Sequence, residues 1–140
     1  MPSDHPALTA HDVLAHSGWP AQYARVLAVA SDGDYGFALV DGNGDGAELE
    51  AEIWLWHDDA WTDGGSSGAG SLSTLDSVRA AQHADDACYA YGSAPGRRSI
   101  TLTLDGHRYD VPVGEQGVWA FVKIHASPGS SALPQGLTSR

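Results

Sequence analysis

Polar and apolar residues alternate most strictly over residues 48–57. Leu49, Ala51, Ile53 and Leu55 fall on one face of an extended segment, and Glu48, Glu50, Glu52, Trp54 and Trp56 fall on the other. A period of two predicts a strand whose first face is core. Shorter β-branched and aliphatic runs at 23–30 and 35–40 predict two further strands, separated by Ser31-Asp32-Gly33. The turn Asp41-Gly42-Asn43-Gly44-Asp45-Gly46 then joins the strand at 35–40 to that at 48–57.

Further along, 88–91, 99–104, 107–113 and 118–125 carry the same signature. Asp105-Gly106 predicts a two-residue type I′ hairpin, which pairs Leu104 with His107, Leu102 with Tyr109 and Ile100 with Val111. Pro112 then lies opposite Ser99, and a residue without an N–H marks a sheet edge or a bulge. Over 118–125 both faces carry apolar residues, which predicts a central strand.

Helical signals are few. Thr9 and Asp12 form a capping-box pair ahead of Ala10, Val13 and Leu14, and Ser17-Gly18 ends that helix. Ser73 and Asp76 predict a second short helix over 75–84. The Gly/Ser stretch 64–71 reads as a flexible loop, and residues 126–140 as a loose tail after a single domain at 1–125. The expected fold is mainly β: an antiparallel β-sandwich or small barrel with one or two short helices.

At 140 residues the chain is long enough to bury a self-sufficient core, and its single cysteine, Cys88, excludes an internal disulfide. No apolar run approaches the roughly 18 residues that span a bilayer, and the first nine residues lack the basic and apolar parts of a signal peptide. A soluble, cytoplasmic protein is expected, with no membrane partner. Charge sharpens this picture. The net charge is −11, and residues 1–78 hold thirteen acids against one base, Arg25. Such a surface repels a phosphate backbone, so nucleic acid is not an expected partner, whereas a basic protein or cationic ligand is.

The VDGNGDG turn followed by EIWLW, then YGSAP, LDGHRYDVPV and VWAFV, resembles small uncharacterised β-rich proteins of high-GC actinobacteria over roughly residues 23–125. The resemblance implies a shared β-rich body. It implies no activity, and no catalytic residue is carried over.

Candidate chemistry is sparse. Asp41, Asn43, Asp45, Gly46 and Glu52 satisfy the spacing of an EF-hand calcium loop, in which alternate oxygens surround a hard cation. Both flanks read as strands, however, and an extended 48–56 carries Glu52 about 20 Å from Asp45 at ~3.3 Å per residue. An acidic hairpin turn is therefore the first reading of Asp41, Asn43 and Asp45, and a calcium-binding β-domain an alternative; no other cofactor is expected. His57-Asp58-Asp59 and His83 with Asp85-Asp86 lack zinc spacing and read as polar turns. No G-x-S-x-G elbow is present, Cys88 sits in an apolar run, and the catalytic residues of any enzyme stay unassigned.

Two functional classes follow. One is a non-enzymatic interaction protein, of the inhibitor or immunity kind, offering Glu48, Glu50, Glu52, Trp54 and Trp56 to a basic partner. In that face carboxylates steer cations and indoles supply rigid contact area. Its counter-reading buries Trp54 and Trp56 beneath the 64–71 stretch or the N-terminal helix as a second small core. The other class is a small-molecule binder or enzyme with a pocket between the sheets, lined by Tyr89, Tyr91, Tyr109, Trp119 and His125.

Overall fold

Thr9 starts the first helix, α1 (Ala10–His16), with the reciprocal bonds its spacing predicts: the Asp12 N–H donates to the Thr9 hydroxyl, and the Thr9 N–H donates to the Asp12 carboxylate. Satisfying two end donors at once is what allows a helix this short to persist. The computed structural model describes residues 6–20, 22–80, 87–104, 107–124 and 135–139.

Four strands follow as an antiparallel meander: β1 (Arg25–Asp32), β2 (Tyr35–Asp41), β3 (Leu49–His57) and β4 (Ala60–Gly70). A 3-10 turn (Leu72–Thr74) leads to β5 (Arg79–Ala80), which with β6 (Ala87–Ser93) and β9 (Val118–Ile124) makes a middle sheet of order β5-β6-β9. The hairpin of β7 (Ser99–Leu104) and β8 (His107–Pro112) joins β10 (Gln135–Ser139) in an outer sheet of order β10-β7-β8. The fold is mainly β and antiparallel, and its sheets stay open instead of closing into a barrel.

Period-two alternation distributes the core into three layers. Leu27, Phe37, Leu39, Leu49 and Ala51 of the first sheet meet Tyr89, Tyr91, Val118, Ala120 and Val122 of the middle sheet. The far face of the middle sheet, with Ala90, Trp119 and Phe121, packs on Ile100, Leu102 and Val111 of the outer sheet. On the other side, Leu8 and Val13 of the N-terminal segment cover Val26, Ala38, Val40, Trp54 and Trp61. Sheets with both faces covered need apolar residues at odd and even positions alike, which is what 118–124 supply.

Several expectations are corrected here. The segment 64–71, read as a loop, is mostly strand: β4 runs to Gly70 along the whole of β3, with two extra residues, Gly64 between Asp63 and Gly65 and Ala69 between Gly68 and Gly70, bulging out of the ladder. Glycine and serine are poor strand formers, and the ladder offered by β3 overrides that preference. The helix expected over 75–84 is absent from its described part, where 75–78 is irregular and Arg79–Ala80 is extended; residues 81–86 lie outside the described residues. The strand at 118–124 is buried on both faces over 118–122, yet among the described residues it pairs in its sheet only with β6, since it is sandwiched between layers. Its end is tied to β1 by the Ile124 N–H, which donates to Asp32 at 2.8 Å. Of the tail expected to be loose, Gln135–Ser139 forms β10 against β7, while 125–134 lie outside the described residues. The β7–β8 register is the expected one at every rung, including Ser99 opposite Pro112, and β8 is an edge strand.

Candidate functional site: the β3–β4 side of the first sheet

The backbone phase of β3 fixes everything around it. The Trp56 N–H donates to the Asp34 carbonyl, so even-numbered β3 residues bond toward β2 and odd-numbered ones toward β4. Their side chains alternate in the same phase: Leu49 and Ala51 enter the central core, and Glu52 and Trp54 turn toward α1. At the end of β3, Asp58 and Asp59 both adopt left-handed backbone (φ 51° and 64°), giving a two-residue turn that places His57 opposite Ala60.

Glu52 occupies the centre of this arrangement. Only 2% of its surface is exposed. Its Oε2 accepts from Trp19 Nε1 at 2.7 Å and its Oε1 from Trp54 Nε1 at 3.2 Å, so two neutral indoles and, among the described residues, no cation hold a carboxylate beneath the helical segment. Burial pushes the Glu52 pKa above the usual carboxylate value of 4.5, the two indole bonds work against that rise, and the nearby Asp63 and Glu50 add to it.

The five residues expected to form one exposed face therefore divide. Glu52 and Trp54 are buried, and no partner reaches them from outside; Glu50 and Trp56 are half-buried and Glu48 is exposed. Trp54 lies with Leu8, Val13 and Trp61 in the layer under α1, and Trp56 packs edge-on to Trp61 with centroids 5.6 Å apart. The counter-reading, a second small core under the N-terminal helix, describes Trp54. What stays accessible is a rim of acids: Asp45 and Glu48 at one end of β3, Glu50 beside β4, Asp63 on β4, and Asp58 and Asp59 at the far turn. Among the described residues Asp45, Glu48, Glu50, Asp59 and Asp63 form no ion pair, and Asp58 meets only His57, at 3.2 Å, where both side chains are exposed. No Lys or Arg occurs between Arg25 and Arg79.

In the β2–β3 turn, Asp41 is buried and its two oxygens accept from the Gly44 and Gly46 N–H groups at 3.0 and 2.7 Å. Both glycines have φ near +76°, a conformation that side-chain-bearing residues avoid. Asp45 accepts from the Ala47 N–H. The carboxylates of the calcium-like motif thus close the turn itself. Glu52, three rungs up the ladder opposite Ala38, points to the indoles instead. Asn43, also in that motif, is exposed, and among the described residues no three His, Cys, Asp or Glu side chains are grouped to hold a metal ion.

The pocket expected between sheets is not formed by its proposed residues. Tyr89 and Tyr91 face the central core, Tyr109 and Trp119 face the outer one, and His125 lies outside the described residues, as does the His83–Asp86 cluster. Cys88 is buried. Among the described residues, two buried polar atoms, Tyr89 Oη and Trp119 Nε1, have no hydrogen-bond partner. Burial, with a smaller contribution from Tyr35, pushes the Tyr89 hydroxyl up to about 12.

Compared with protein-family models, curated proteins and solved structures, the chain matches none. Among the described residues no helix is long and apolar enough to cross a membrane. Two features of the site went unread in the sequence: β4, concealed by its Gly/Ser composition, and Trp19. For Trp19 the available signal was an aromatic next to Pro20 directly after a helix end, the place where a chain folds back on its own sheet.

Proposed function

We propose that the protein is a non-enzymatic interaction module, of the inhibitor or immunity kind, that receives a basic partner protein on the acidic β3–β4 side of the first sheet. The observation that supports this reading is the unpaired rim: five carboxylates on two adjacent strands and their turns, without a neutralising cation among the described residues. Glu48 and Glu50, two residues apart on an extended strand and so about 7 Å from each other, lie within the roughly 8 Å screening length of physiological salt, so neighbouring acids of the rim act on an approaching partner together. Their effect falls on association rate and on the choice of partner. Glu48, Glu50, Trp56 and Asp63 are the contact residues in this reading, and Glu52 and Trp54 hold the scaffold. A lone buried thiol suits a reducing compartment such as the cytoplasm.

Affinity capture from a native lysate tests it, with the wild type beside a Glu48→Gln/Glu50→Gln/Asp63→Asn variant. Basic proteins are expected on the wild type at low salt, and are expected to be lost both at high salt and on the variant. Equal retention by the variant contradicts the reading.

A further inference from the structure

Among the described residues, β4 has a neighbour in its sheet on one side only, β3. Because odd-numbered β3 residues bond toward β4, their opposite numbers Thr62, Gly65 and Ser67 face inward, and the backbone N–H and C=O groups of Asp63, Ser66 and Gly68 face outward. Residues 62–68 are exposed, and an added Cβ at Gly65 or Gly68 meets nothing within 4 Å. Open edges of this kind are ordinarily blunted by lysine, proline or a covering element. Residues 62–68 contain neither lysine nor proline; the bulges at Gly64 and Ala69 leave 65–68 as the regular part of the row, with Ser66 and Gly68 facing outward.

Charge selects the occupant. Asp63 lies on the edge strand, Glu50 stands directly across from Gly68, and Asp58 and Asp59 close the turn where β4 begins. A second copy of this chain would set these acids against themselves, whereas a lysine- or arginine-bearing strand meets opposite charge on the same rungs. We propose that the outer edge of β4, centred on Ser66 and Gly68, receives an extended basic segment of a partner protein as an added strand, with main-chain bonds fixing its register and the flanking acids selecting its sequence. This rests on the acidic-module reading and adds to it a mode of binding.

A short peptide of alternating lysine and valine, and the same peptide N-methylated at every residue, separate the two ideas. Both carry the same charge, and only the first can extend a ladder. The unmethylated peptide is expected to bind about tenfold or more tightly, and to slow hydrogen exchange at the Ser66 and Gly68 amides by a similar factor. Equal affinities with unprotected Ser66 and Gly68 overturn strand addition and leave the charge reading standing. Failure of both peptides to bind at low salt overturns both.

Discussion

Trp19 and Glu52 lie thirty-three positions apart in the chain and are joined by a 2.7 Å hydrogen bond from indole to buried carboxylate. The bond fastens the segment after α1 onto β3, and it does so with a group whose burial favours its protonated form. Because the folded-state pKa of Glu52 is raised, its contribution to stability is fully present below the ordinary value of 4.5 and is lost as pH rises through the raised value. Glu52→Gln removes that titration while keeping the side chain's shape. Denaturant unfolding of both proteins from pH 4 upward should show the wild type losing stability relative to the variant as pH rises. A wild type that gains on the variant over that range contradicts the assignment.

Trp54→Ala should cost about 3–5 kcal/mol in urea unfolding, the range for deleting a fully buried large aromatic, with a further loss from freeing one Glu52 oxygen. Trp56→Ala, at a half-buried position, should cost clearly less. Equal, small effects at both positions would place Trp54 on the surface.

Tyr89→Phe removes a buried hydroxyl that has no partner among the described residues, so the variant should match or exceed the wild type by up to about 1 kcal/mol. The folded chain keeps the Tyr89 proton to about pH 12, while the unfolded chain gives it up near 10.0. Wild-type stability should therefore fall as pH rises across that window, and the variant should lack this component. Urea melts of the two proteins at neutral and alkaline pH check both parts.

Asp41→Ala leaves the Gly44 and Gly46 N–H groups without their acceptor and should cost about 1–2 kcal/mol. Melting of the wild type should be the same with calcium and with a chelator. A midpoint that rises with calcium would place an ion in the turn.

Much of the fold was legible because its signals are local. The Thr9–Asp12 capping box, the β7–β8 register and the alternation along β3 each involve neighbours in sequence, and each appears as expected; the turn at 105–106 lies outside the described residues. What escaped depends on tertiary context. Alternation places Glu52 and Trp54 on one face, but whether that face meets water depends on where α1 and Trp19 return, and here they return onto it. Likewise β4 has little strand propensity of its own; it exists because Asp58 and Asp59 accept left-handed backbone and lay the chain back along β3. The candidate site was half legible for the same reason: its charge is a property of sequence, and its accessible part is a property of packing.

The central claim is that the β3–β4 acids act as a localised surface and not merely as part of the net charge of −11. The most direct test is calorimetric titration of a lysine decamer into three proteins: the wild type, Glu48→Gln/Glu50→Gln/Asp63→Asn, and a control, Asp34→Asn/Asp76→Asn/Glu115→Gln, that removes the same number of charges at exposed positions elsewhere. Binding should be lost in the first variant and kept in the control. Equal weakening in the two variants would show that only total charge matters and would contradict the account.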